Sequence, residues 1–199
     1  MGFNCPREEC NKCKYSDDEF ILRLMGILGP VILKVKPSEI LSFSKLHKGY
    51  KENLEKIEEV FSGCKEIKYK IIDYKSEGKK VLFYREDELD RTLTDKNNLK
   101  FLKQIGYPSN YGLYGYLEFL SEKITNGNIP DEIGIFLGYP LKDVLGFMGY
   151  PSLKLTKING WRVYGDSLLS DIKYNQFKRA KENIKILLTL RTVSEILYL

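Results

Sequence analysis

The sequence predicts an α+β fold, a helix-rich single domain with two β-hairpins and a long C-terminal helix. Three observations predict it. Apolar residues recur at helical spacing, as in Leu113, Leu117, Leu120 and Ile124. Two pairs of extended runs fold back over turn residues, at Ser76-Glu77-Gly78 and at Asn159-Gly160. Helices and hairpins alternate without the strand–helix–strand rhythm of a parallel sheet.

The elements follow in order. Residues 1–15 form a polar, cysteine-bearing N-terminal segment, and residues 16–199 form the α+β domain. The first helix begins at SDDEF, where Ser16 and Glu19 have capping-box spacing and Asp17 and Asp18 favour the positive end of the helix dipole. Gly29-Pro30 is expected to stop it, and VILKV reads as a short strand. A second helix, KENLEKIEEVF, places Leu54, Ile57, Val60 and Phe61 on one face, with Gly63 as its stop. The first hairpin follows, with Ile67, Tyr69 and Ile71 alternating with lysines. Leu99, Leu102 and Ile105 line the next helix. Asn126-Gly127-Asn128 closes the helix after it. The second hairpin, LKLTKINGWRVYG, carries the favoured Asn-Gly two-residue turn. Asp166 is placed to cap the final helix, whose apolar stripe is Leu169, Ile172, Phe177, Ala180, Ile184 and Leu187.

Gly-Tyr-Pro occurs three times, at residues 106, 138 and 149. Chain punctuation explains this without a ligand. Glycine reaches the left-handed conformation that ends a helix, proline opens the next segment, and the tyrosine between them is held extended and packs its ring. The segment around Gly134, Gly138 and Val144 also has the spacing of a DNA-binding helix-turn-helix. Its second helix offers Leu141, Lys142, Asp143, Leu145 and Gly146, poor chemistry for reading base edges, so a core helical hairpin is expected instead.

At 199 residues and 43% hydrophobic, the chain has enough apolar material for a core without disulfides. The start MGFNCPREEC lacks an apolar signal region, and no apolar run approaches the length of a membrane span, so a cytoplasmic location with no membrane partner is expected. Net charge is +5, concentrated between Lys154 and Arg191, where nine basic residues face three acidic ones. There Lys178, Lys181 and Lys185 form a basic stripe, opposite the apolar side of the helix, that a nucleic acid could contact, although a solvated helix face is the plainer reading.

Chemistry is concentrated in CPREECNKC. Cys5, Cys10 and Cys13 follow C-x4-C-x2-C, and Cys64 is the remaining cysteine. Four thiolates suit tetrahedral zinc or an iron–sulfur cluster, and Lys12 and Lys14 favour the thiolate form. A reduced polar tail, with Cys64 packed at a helix end, is the plainer reading. The lone histidine, His47, sits in a polar loop without a nucleophile motif. Asp131 and Glu132 are adjacent at a helix start, where the dipole explains them. They could also line a pocket walled by Tyr139 or Trp161. There is no Walker motif, dinucleotide fingerprint or zinc-protease helix.

The segments PDEIGIFLGYPLKDVLGF and GWRVYGD, with GPVILKVKPSEILSF and VLFYRE upstream, resemble an uncharacterised family of anaerobic Firmicutes, domain of unknown function 3793. The resemblance spans about Leu24 to Tyr174. The family pattern has His where this chain has Asp131, and Cys where it has Leu28. The family transfers no catalytic role, and the resemblance implies a link to iron or redox metabolism. The expected function is therefore an accessory or binding protein with a zinc or iron–sulfur site on its cysteines, and with an unidentified protein partner. The alternatives are a nucleic-acid-binding protein and an enzyme with a carboxylate-lined pocket.

Overall fold

The computed structural model describes Tyr15, residues 17–75 and residues 78–199. Cys5, Cys10, Cys13, the expected cap Ser16 and the expected turn Ser76-Glu77 lie outside the described residues. The fold is α+β, as the sequence predicts. Three strands, β1 (Ser38–Ser44), β2 (Lys68–Tyr74) and β3 (Gly78–Tyr84), form an antiparallel sheet in the order β1-β3-β2. The expected hairpin is β2-β3, in register from Lys68 opposite Tyr84 to Tyr74 opposite Gly78.

Period-two alternation gives this sheet two apolar faces. On β3, Val81 and Phe83 enter one core, while Leu82 and Tyr84 enter the other. The first core is covered by α1 (Glu19–Ile32), α2 (Tyr50–Phe61), the end of α8 (Leu168–Leu190) and α9 (Val193–Leu197). The second is covered by α3 (Glu86–Thr94), α4 (Lys96–Gln104), α5 (Leu113–Asn126), α6 (Ile133–Phe136) and α7 (Leu141–Phe147). A separate hairpin of β4 (Leu155–Asn159) and β5 (Trp161–Tyr164) packs on α7.

Several expectations are corrected. Gly29-Pro30 does not stop α1, which runs to Ile32, so VILKV is a helix end and turn rather than a strand. An interior proline costs about 3 kcal/mol, but Val31 and Ile32 are buried, and each contributes roughly 1.5–3 kcal/mol. The turn after Ile32 is closed at Lys34, φ 61°, with the Val35 N–H donating to the Pro30 carbonyl and the Lys34 N–H to the Val31 carbonyl. The cap at its start is Asp18, whose carboxylate accepts from the Ile21 N–H. Gly63 is not in the left-handed region, and α2 closes at Ser62. At the turn of the second hairpin only Gly160 has positive φ, and Ile158 pairs with Arg162, so the turn is not the two-residue type with both central residues left-handed. Leu169 and Ile172 are about half exposed and do not join the buried stripe of α8.

The three Gly-Tyr-Pro tripeptides do act as punctuation. Gly106, Gly138 and Gly149 all have positive φ. In each case the tyrosine N–H bonds five residues back, to the Leu102, Gly134 and Leu145 carbonyls respectively. This is the hydrogen-bond closure of a glycine-terminated helix. The tyrosines then diverge: Tyr107 is in the second core, Tyr139 is half-buried and Tyr150 is exposed.

Candidate functional site

The site is assembled by close contacts between distant segments. Gly29 lets α1 cross α8 closely, since a Cβ there would meet Ile184 Cγ2 at 2.7 Å and the Ala180 carbonyl at 3.1 Å. The loop after α1 is fixed by the Ser38 hydroxyl, which donates to the Phe136 carbonyl at 2.6 Å, and by Pro37, which packs on Gly138. That contact brings Lys36 beside Tyr139. At the tip of the second hairpin, Gly160 lies against the Tyr174 ring and turns Trp161 toward the same place.

The result is a cleft of about 370 Å³ between the end of α1, Tyr139, the hairpin tip and α8. Its back wall is aromatic: Tyr139 and Trp161 stack, and Phe177 closes the far side of Trp161. The Lys36 ammonium lies 5.3 Å from the Tyr139 ring centre and 5.5 Å from that of Phe177. It pairs with Glu39 at 2.8 Å, and its side chain is 5% exposed. Burial pulls its pKa below the ordinary lysine value, against the raising effect of Glu39. Burial likewise pushes the Tyr139 hydroxyl up to about 12, with Glu39 adding to it.

Lys178, Lys181 and Lys185 line this same cleft. Sequence periodicity places them opposite the apolar stripe of α8. At about 100° per residue, Lys181 lies only about 40° from Phe177, and the stripe borders the buried face. Among the described residues none of the three has an ion pair or hydrogen bond. Four lysines therefore meet two carboxylates, Glu39 and Glu182, with Glu39 committed to Lys36.

On the other side of the Tyr139–Trp161 stack lies an apolar cleft of about 430 Å³. Asp131, Tyr139 and Trp161 line it together, so three of the four residues expected to share a pocket do so. Glu132 does not. It is 3% exposed and turned inward, taking a hydrogen bond from the Tyr107 hydroxyl and an ion pair from Lys123. Asp143 reaches the same wall, but it is fully occupied. It accepts from Trp161 Nε1 at 2.8 Å, the Tyr164 N–H at 2.9 Å and Ser170 Oγ at 2.6 Å, and it pairs with Lys142 at 2.6 Å. Burial works against its charge, and these donors outweigh it and hold the carboxyl below its ordinary value.

Asp143 is the key residue that sequence reasoning missed. It reads locally as a first-turn helix acid that would repel phosphate. It is 3% exposed and ties α7 to the hairpin and to α8. The helix-turn-helix spacing is likewise structural: Gly146 of the second helix lies against the Tyr164 ring, so this face is core. Phe147, apolar at a position where a packed helical hairpin would bury it, is 48% exposed. Lys36 and Glu39 carried no sequence signal beyond their separation of three.

Cys64 is 4% exposed in the first core. Its thiol donates toward the Leu197 carbonyl at 3.7 Å and its sulfur accepts from the Ile67 N–H at 3.4 Å. Among the described residues no group of His, Cys, Asp and Glu side chains is placed to hold a metal ion. His47 lines a small cleft with Arg23 and Tyr50. Among the described residues no helix is long and apolar enough to cross a membrane.

A family model described as a protein of unknown function, DUF3793, matches residues 24–197, extending past Tyr174 through α8 to α9. No curated protein and no solved structure matches the chain.

Proposed function

Since the chain belongs to the DUF3793 family, whose description assigns no activity, we propose from its own geometry that it is a binding protein for a small phosphorylated aromatic compound of mononucleotide size. The observation that carries this reading is the buried Lys36 ammonium, set between the Tyr139 and Phe177 rings and facing three unpaired lysines. Clustered ammonium groups with few carboxylates favour an anion. An aromatic wall beside them favours a flat ring, and the volume falls within the range of small-molecule sites.

Trp161 is the only tryptophan in the chain, so its fluorescence reports on the wall that this cleft shares with the apolar one, and loss of the response in Lys181→Glu assigns it to the basic side. Titration with adenosine monophosphate should change its emission saturably, with weaker binding at high salt. Adenosine without phosphate and phosphate without the base should each bind at least tenfold more weakly. A response to adenosine as strong as to its monophosphate, or none up to millimolar concentration, refutes the reading.

A second reading retains a thiolate metal site, zinc or iron–sulfur. One observation supports it: Tyr15, two residues after Cys13 in sequence, lines the same small cleft as Cys64 and hydrogen-bonds Glu59 there. It requires the Cys64 thiol to leave the Leu197 carbonyl. Metal analysis of anaerobically purified protein tests it. Metal near one equivalent, lost in Cys10→Ser and in Cys64→Ser, supports it, and a folded, metal-free protein removes it.

A further inference from the structure

A second groove, of about 730 Å³, runs along the opposite side of Tyr139 and Pro140 from the basic cleft, between α4, α7 and the start of α8. Its apolar lining is three leucines, Leu141, Leu145 and Leu169, with the rings of Phe101, Tyr139 and Tyr150. Leu141 and Leu145 are half-buried there, and Leu169 on α8 and Tyr150 after α7 stand 50% and 45% exposed. Apolar side chains of this size, left about half exposed on adjacent elements, cover one another only in part.

The polar groups around that lining are mostly cationic. Lys100, Lys173, Lys142 and Arg91 line the groove against a single carboxylate, Asp95. Asp95 is already committed to the N–H groups of Asn97 and Asn98 at the start of α4. Lys142 is committed to Asp143, and Arg91 to Glu88. Among the described residues Lys100 and Lys173 have no hydrogen-bond or ion-pair partner, and Glu88, the carboxylate whose charge reaches Lys173, is the one paired with Arg91. Lys173 is half-buried, so its ammonium is partly desolvated without an acceptor, an arrangement that an incoming carboxylate would relieve.

We propose that this groove is the docking site for an acidic, amphipathic segment of a partner protein. The segment's apolar side chains would cover Leu141, Leu145 and Leu169, and its carboxylates would reach Lys100 and Lys173. Charge complementarity selects an acidic partner. Three leucines, Leu141, Leu145 and Leu169, favour a peptide's apolar side chains over bases, which need a run of flat rings where the groove exposes the single ring of Tyr150. The groove uses none of the lysines of the nucleotide cleft, so this proposal does not rest on the proposed function.

The test is selection of a random 12-residue peptide display library on the immobilised full-length protein. The expected result is enrichment of peptides rich in Asp and Glu with apolar residues three or four apart. Binding of the selected peptides should fall at least tenfold on Leu169→Asp and on Lys173→Glu, and should be unchanged on Lys181→Glu in the other cleft. Leu169 is half exposed and Lys173 half-buried on α8, and far-UV circular dichroism and urea midpoints check that both variants fold. Enriched peptides that are not acidic, or binding that survives both groove variants, overturns the proposal. So does a labelled oligothymidine whose binding is lost on Lys173→Glu, which assigns the groove to nucleic acid. Self-association abolished by Leu169→Asp overturns it in favour of a second copy of the chain.

Discussion

Tyr139 and Trp161 stack with ring centres 4.6 Å apart and planes 17° from parallel, and this pair separates the basic cleft from the apolar one behind it. The tyrosine is held by the glycine-terminated turn that ends α6, and the tryptophan by the hairpin tip and by Asp143. Two pieces of local chain grammar, a helix stop and a hairpin turn, thus meet to make one wall.

Replacing Trp161 with Phe isolates the role of its N–H. The ring stack is retained, while Asp143 loses one of four donors in a buried position. A hydrogen bond to a charged group contributes about 1.5–3 kcal/mol, so the urea midpoint should fall accordingly. An unchanged midpoint would show that solvent replaces the donor and that the carboxylate is not closed off.

Asp143→Asn carries a pH signature. The folded-state pKa of Asp143 is depressed below the ordinary 3.8, so its contribution is complete above that value and is lost as pH falls through the lower folded value. Breaking a buried ion pair costs about 3–5 kcal/mol, and the lower end applies because the Lys142 side chain is 26% exposed. The stability gap between wild type and variant should be constant from neutral pH to about pH 5 and should narrow below about pH 4. Urea unfolding across that range measures it, and a gap independent of pH would rule out the ionised carboxylate as the cause.

Two glycines of α1 should respond oppositely to the same change. Gly26 has nothing within 4 Å of an added Cβ, so Gly26→Ala should stabilise by up to about 1 kcal/mol through helix propensity. At Gly29 the added carbon would meet Ile184 at 2.7 Å, and the crossing with α8 would have to open. Overpacking of this kind costs about 1–3 kcal/mol. Gly29→Ala should therefore destabilise despite its better propensity. Thermal unfolding of the pair decides the matter, and a stabilised Gly29→Ala would show that α1 and α8 are not closely apposed.

The contrast between those glycines marks how far the sequence can be read. Local signals gave the hairpins, the three tyrosine turns, α2 and the buried centre of α8, because each depends on neighbours within a few residues. VILKV misled because a short apolar run has no period of its own, and the burial of Val31 and Ile32 carries the helix past Pro30. β1 went unnoticed because its serines dilute the alternation of Ile40, Leu41 and Phe43. The basic stripe was visible as three lysines. Its meeting with Lys36, Tyr139 and Trp161 depends on Gly29 against Ile184 and on Pro37 against Gly138, contacts between segments about 100 or more residues apart that no local pattern encodes.

Lys36 provides the sharpest test of the basic cleft. Removing it alone by Lys36→Met leaves the 15%-exposed Glu39 side chain without its partner, so stability should drop. Adding Glu39→Gln removes the orphaned charge, and the double variant should recover most of the loss, since a buried ion pair is often worth no more than an apolar replacement. Ligand binding should behave differently. If the ammonium contacts phosphate, affinity for adenosine monophosphate falls at least tenfold in both variants, whatever the stability does. Because burial depresses the Lys36 pKa below 10.5, wild-type affinity should also weaken as pH rises toward that value, earlier than exposed lysines titrate. In Lys36→Met/Glu39→Gln this early alkaline loss should be absent. Titrations followed by Trp161 fluorescence between neutral pH and about pH 10 measure both effects. Equal affinity and equal pH dependence in the double variant would place the phosphate elsewhere on the lysine stripe.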